Sequence, residues 1–198
     1  MKFFSYIKRV ATHIRPRYEK ILVFEKKTSD FEDKNLEIKA KLIIAKNIDS
    51  IKSLIDQREG WYHKWAQERF KGGNYCFALE FKGVIVSCVW TCFNQVYLPN
   101  VDYNLSVQKD VAPLLDGWTS PNYRKKGLYS FVMNACLKYL YNNTKYKKVY
   151  FFIRPENYNS IMIHKILPVV FYIRLINFFP FQRHIIQTEN LVLERLIT

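Results

Sequence analysis

The sequence predicts a mixed α/β fold, α+β-like in layout, with a mostly antiparallel central sheet flanked by helices. Three observations predict it. Two helical segments precede a pair of strands joined at Lys82-Gly83. A basic glycine turn, Pro121-Asn-Tyr-Arg-Lys-Lys-Gly-Leu-Tyr129, links an apolar strand to an amphipathic helix, and a compact apolar strand, Lys148–Arg154, follows that helix.

Residues 2–15 carry Phe3, Phe4, Ile7, Val10 and Ile14 at helical spacing among Lys2, Lys8, Arg9 and Arg15. They read as an amphipathic helix ended by Pro16. Tyr18–Lys27 and Asn35–Ala45 read as strands around the apolar centres Ile21–Phe24 and Leu42–Ile44. Residues 48–57 and 59–71 read as two helices parted near Gly60, the second stopped by Gly72-Gly73. Tyr75–Phe81 and Val84–Phe93 are strands, and Lys82-Gly83 between them fits a two-residue hairpin turn in which glycine supplies a positive φ. A loop over 94–110 carries Pro99, Asp102 and Tyr103, and Val111–Thr119 is the next strand. Leu128, Phe131, Val132, Ala135 and Tyr139 line one face of a helix reaching Tyr141. After Lys148–Arg154, a helix at 157–167 ends at Pro168, and strand-like sequence follows. No repeat or linker interrupts the chain, so one domain is expected over 1–198, with 1–17 as a basic amphipathic extension.

The 198 residues are 49 % hydrophobic and 17 % aromatic, which supplies a core and excludes a disordered chain. The formal net charge of +14 asks for an anionic partner: nucleic acid, a phosphate-bearing cofactor, or an anionic membrane. Cys76, Cys88, Cys92 and Cys136 show no Cys-x2-Cys and no zinc spacing, so they read as buried free thiols and no metal is expected. There is no signal-peptide core and no uncharged apolar run of about 18 residues, so a cytoplasmic protein without a spanning helix is expected. The segments 2–15 and 161–183 combine apolar and basic residues. They either pack on the body of the fold or touch an anionic membrane peripherally.

The turn at 121–129 carries the functional signal. Amides at the start of a helix lack intrahelical acceptors and sit at the positive end of its dipole, so they receive an anion. Gly127 lets the backbone approach that anion, and Arg124, Lys125 and Lys126 add charge around it. The turn is neither a P-loop, which needs Gly-x4-Gly-Lys-Ser/Thr, nor a dinucleotide fingerprint, since it has one glycine.

With these elements in this order, the chain resembles the GNAT superfamily of acyl-CoA N-acyltransferases over 48–170. The family's phosphate loop reads Gln/Arg-x-x-Gly-x-Gly/Ala, and here Arg124-Lys-Lys-Gly127-Leu-Tyr129 stands behind Pro121-Asn-Tyr123. The family then has an asparagine, a small residue three later and a tyrosine four after that; here these are Asn157, Ser160 and His164. Three departures stand out: Tyr129 for the final Gly/Ala, His164 for the tyrosine, and Pro168-Val169 for a Gly-Phe. The resemblance implies that the amides of Arg124, Lys125, Lys126, Gly127, Leu128 and Tyr129 cradle the pyrophosphate of coenzyme A. Main-chain groups at Trp118 and Thr119 would align the pantetheine and acyl carbonyl. Asn157, with Ser160 near it, would hold the cofactor arm, although an asparagine there also suits a helix cap. Acetyl-CoA, or another acyl-CoA, is the expected acyl donor.

Acyl transfer from a thioester to an amine requires loss of a proton from the amine, stabilisation of an oxyanion, and in some cases a proton for the leaving thiolate. His164, at the place of the family's tyrosine, is the candidate acid, because imidazole titrates near neutrality; it equally suits a packed helix position beside Ile163 and Ile166. For the base, Asp116 on the strand ahead of the turn comes first, with Glu80, Asp102, His63 and water as alternatives. The helices before the hairpin bring Trp61, Tyr62, Trp65 and Phe70, either as core or as the lining of an acceptor pocket. A small-molecule amine is the expected acceptor, and by analogy with GNAT members of polysaccharide and cell-envelope pathways an amino sugar fits. Two other classes remain. A non-catalytic nucleic-acid module is disfavoured, because no such motif is present and the lysines are spread along the chain; the other is a GNAT-like fold that binds a ligand without turnover. Oligomeric state leaves no signal in the sequence.

Overall fold

A computed structural model describes residues 17–33, 35–36, 38–93, 95–98, 103–178 and 181–187. The helix expected at 2–15 and the candidate Asp102 lie outside the described residues. The elements run β1 (Arg17–Lys27), β2 (Lys41–Ala45), α1 (Lys52–Ile55), α2 (Trp61–Lys71), β3 (Tyr75–Phe81), β4 (Val84–Thr91), β5 (Gln95–Leu98), β6 (Tyr103–Ser106), β7 (Val111–Thr119), α3 (Leu128–Asn143), β8 (Lys148–Ile153), α4 (Tyr158–His164), β9 (Val169–Phe178) and β10 (Phe181–Gln187). Their described residues form two compact units, one within 26–96 and 106–151 and the other within 17–25, 97–105 and 152–187.

In the first unit the strand order is β2-β3-β4-β7-β8, antiparallel except for the parallel β7–β8 pair. Lys82 and Gly83 both have positive φ, 52° and 78°, the type I′ geometry that matches the twist of a two-residue hairpin. The strand expected over 84–93 ends at Thr91, and the one expected over Asn35–Ala45 is confined to Lys41–Ala45. The expected loop at 94–110 contains β5 and β6, which form a two-stranded sheet. The core gathers Ile51, Leu54, Tyr62, Ala66, Cys76, Ala78, Ile85, Cys88 and Trp90 from the helices and the β3–β4 hairpin. Gln57 Nε2 donates to the Ile85 carbonyl and Ser53 Oγ accepts from the Ile85 amide, at 3.0 Å each, which pins α1 to β4.

The buried stripe of α3 is Leu128, Val132, Met133, Cys136, Leu137 and Leu140. It is rotated from the expected one, and Phe131, Ala135 and Tyr139 are half-buried. A helix covering a sheet buries a wider arc than a single heptad seam, so the aromatic residues end at its margin. All four cysteines are buried free thiols.

In the second unit β9 pairs antiparallel with β1, from Arg17↔Asn177 to Phe24↔Val169, and with β10. Within 161–183 the described residues belong to α4, the connection after it, β9 and β10, and α4 is shorter than the expected 157–167. Among the described residues no helix is long and apolar enough to cross a membrane.

Candidate active site

The phosphate-type turn forms as a 3-10 turn over Pro121–Tyr123, then left-handed backbone at Lys125 (φ 62°) and Gly127 (φ 70°), then α3. Left-handed residues in such a turn curl the chain so that successive amides converge, the geometry of an anion nest. The N-cap residue of α3 is Gly127, which has no side chain to cap the helix, so the cap position itself leaves room for a ligand at the helix start. A Cβ built on Gly127 meets nothing within 4 Å, which leaves the approach to those amides open. Arg124, Lys125 and Lys126 are exposed. The Arg124 Nε donates to the Thr119 carbonyl at 3.2 Å, and the Lys126 ammonium lies 5.4 Å from the centroid of Tyr123. Arg124 therefore braces the turn against the strand end, while Lys125 and Lys126 supply charge in front of the helix. The residues present fit a phosphate-bearing ligand.

The strand end ahead of the turn is irregular. In β7, Thr119 and Trp118 pair with Ser87 and Cys88, but Leu115 pairs with Trp90, so Asp116 and Gly117 together oppose Val89. This is a β-bulge, and Asp116 takes a left-handed φ of 47° within it. Pairing of β7 with β8 runs from Val111↔Lys148 to Leu114↔Phe151 and stops ahead of the bulge. The Ser120 amide donates to the Val86 carbonyl on β4 at 2.9 Å, so alternation along the strand turns the Thr119 amide to the opposite edge. Ser87, fully buried, donates to the Trp118 carbonyl at 3.0 Å and shares a 2.9 Å hydrogen bond with Thr119 Oγ1. Strand end and turn are thus held together, with one edge of Thr119 facing away from β4.

Asp116 sits in a network that joins three elements. Arg58, in the bend between α1 and α2, donates to Asp116 Oδ1 at 3.1 Å. The Tyr62 hydroxyl on α2 donates to Asp116 Oδ2 at 2.9 Å and accepts from Trp90 Nε1 at 3.0 Å. The Arg58 guanidinium lies 4.4 Å from the centroid of the Tyr62 ring and 5.6 Å from that of Trp118. Burial, then the neighbouring Cys88 and Asp116, pushes the Tyr62 phenol up, so it stays protonated and remains a donor. Of the other aromatic residues, Trp65 and Phe70 are half-buried against Trp90, at 5.5 and 4.8 Å between centroids, and Trp61 is 55 % exposed. His63 is exposed on α2, and Glu80 is half-buried on β3 opposite Ile85. Arg58, Trp90 and Gly117 escaped the sequence reading. An isolated glycine after aspartate inside a strand is itself a bulge signal and could have flagged the last.

In the second unit the motif residues Asn157, Ser160 and His164 form one hydrogen-bonded run. Asn157 caps α4, its Oδ1 accepting from the Ser160 amide at 3.2 Å. The His164 Nδ1 lies 2.8 Å from the Ser160 carbonyl, to which it must donate. His164 is 2 % exposed, its ring 6.1 Å from that of Phe24.

A bulged strand end followed by a basic turn and a helix that starts behind left-handed Gly127 gives an α/β protein whose turn fits a phosphate-bearing ligand. Residues 45–167 match the acetyltransferase (GNAT) family, and the chain belongs to that family. A sequence search of curated proteins found no match. Similar solved structures include a Drosophila protein (TM-score 0.61, 10 % identity, 91 % of this chain and 58 % of that one). A tandem GNAT protein from the clavulanic acid biosynthesis pathway is also similar (TM-score 0.56, 10 % identity, 81 % and 53 %). So is AAC(6')-Iy in complex with a bisubstrate analog, CoA-S-monomethyl-acetylneamine (TM-score 0.51, 14 % identity, 65 % and 89 %). The chain spans 53 % and 58 % of the first two structures it matches.

Proposed function

We propose that this protein is an acyl-CoA-dependent N-acyltransferase, using acetyl-CoA to acylate the primary amine of a small molecule. The observation that carries the reading is the basic turn that enters α3 through left-handed Gly127, with exposed Lys125 and Lys126 before it. One structure with this fold, AAC(6')-Iy, is a complex with a CoA bisubstrate analog, which supports the same kind of donor here.

In this reading the turn binds the pyrophosphate, and the open edge of Thr119 directs its amide at the acyl carbonyl. The amine attacks that carbonyl directly: the C–N bond forms, negative charge develops on the oxygen near the amide, and the C–S bond breaks as the tetrahedral species collapses. The amine's proton goes to water or to Asp116, whose oxygens accept from Arg58 and Tyr62. His164, at the family's tyrosine position, is assigned the proton for the thiolate, and Asn157 with Ser160 the cofactor arm. The acceptor class favoured by analogy is an amino sugar.

Gly127→Asp tests the reading. The site has room for the side chain, although a left-handed aspartate costs about 1 kcal/mol, and the carboxylate would repel the phosphates. Titration calorimetry should show acetyl-CoA binding to wild type and its loss in the variant. Unchanged affinity in a folded variant would overturn the assignment.

A further inference from the structure

Building on the acyltransferase reading, we propose that Asp116 is a positioning residue that ties the bulge of β7 to Arg58 and Tyr62. It thereby holds Trp118 and Thr119 in the orientation that aligns the acyl group. The backbone at this point lacks the usual support. Pairing with β8 has ended two residues earlier, at Leu114, the register with β4 slips, and the φ of 47° is one that aspartate tolerates only with some strain. What fixes it is the side chain. Oδ1 and Oδ2 each accept one donor, from different parts of the helical segment, and the Tyr62 donor is itself fixed by Trp90 on β4. Tyr62 and Trp90 are fully buried, so this anchor is rigid. Arg58 then closes a ring, because the guanidinium bound to Asp116 also lies over the indole of Trp118, two residues further along β7. Trp90, Tyr62, Asp116, Arg58 and Trp118 therefore link β4, α2, the α1–α2 bend and the strand end.

A residue that acts as a base and a residue that positions the strand leave different traces. If Asp116 accepts the amine's proton, Asp116→Asn alone abolishes turnover by about 10²–10⁴-fold and removes the acid limb of the pH profile, while acetyl-CoA affinity stays unchanged. If it positions the strand, Asp116→Asn, Tyr62→Phe and Arg58→Gln should each weaken acetyl-CoA binding by roughly tenfold while affinity for free CoA, which lacks the acyl group, changes little. Tyr62→Phe combined with Asp116→Asn should be no worse than the poorer single variant, since Tyr62 Oη acts through Asp116. Calorimetry with acetyl-CoA and CoA reads the affinity outcomes without an acceptor, and they alone separate the two roles. Thermal unfolding confirms that each variant is folded, and a general loss of stability would lower both affinities together rather than their ratio. An unchanged acetyl-CoA-to-CoA affinity ratio in all three variants overturns the proposal and leaves the acyltransferase reading intact. A wild-type protein that binds neither ligand overturns both.

Discussion

The ring of Tyr129 lies directly on the backbone of Gly117. A Cβ added at Gly117 would collide with Cε2 of that ring and stand 2.9 Å from Cζ. The turn proposed to bind phosphate ends in a tyrosine where the family motif has a small residue, and the bulge glycine makes the room for it. Gly117→Ala should therefore lower stability by about 1–3 kcal/mol, the usual cost of overpacking. Combining it with Tyr129→Ala should recover part of that loss. Denaturant unfolding of the two single variants and the double variant measures the coupling, and strictly additive effects would show that the contact does not constrain the turn.

Replacing His164 separates chemistry from packing. His164→Phe keeps an aromatic ring against Phe24 but loses the hydrogen bond to the Ser160 carbonyl. If the imidazole protonates the thiolate, turnover should fall by about 10²-fold or more while acyl-CoA affinity changes little, and His164→Tyr should restore part of the rate. Wild-type turnover in the phenylalanine variant would make His164 a packing residue.

Alkaline pH should weaken the fold. Burial pushes the Cys92 and Cys136 thiols up, and Cys88 is pushed up first by its hydrogen bond with Cys76 and then by burial. Unfolded thiols titrate near about 8.5. The native values lie above this, so the thiols' contribution is complete below it and is lost as pH rises from there through the native values, because the unfolded chain releases protons that the native state holds. The denaturation midpoint should drop steadily above that pH, and a thiol reagent should modify the four cysteines only after unfolding. A flat midpoint up to pH 10 would refute the linkage.

The hairpin turn is open to improvement away from the site. Lys82 holds a φ of 52° that asparagine adopts more readily in a type I′ turn. Lys82→Asn should raise stability by about 0.5–1 kcal/mol without altering acetyl-CoA binding. A destabilised variant would show that the lysine makes a compensating contact, for example its ammonium 5.4 Å from the Phe81 ring centroid.

Much of the fold follows from local chemistry that a sequence displays. Positive-φ glycines mark turns, so Gly83 announced the hairpin and Gly127 the helix start. Apolar runs announced β3, β4, β7 and β8, and the asparagine ahead of α4 caps it as asparagine prefers to do. Each of these depends on residues close together in the chain. The interactions that shape the strand end do not. Arg58 and Asp116 are 58 residues apart, and Tyr62 and Asp116 are 54. Their meeting depends on the bend after α1 falling over the bulge of β7, which tertiary packing alone decides. The rotated buried stripe of α3 has the same origin, because the sheet beneath it selects which arc is covered. Tyr129 looks in the sequence like a defect in a phosphate loop; only the folded strand, placing Gly117 under its ring, shows why that position can hold it.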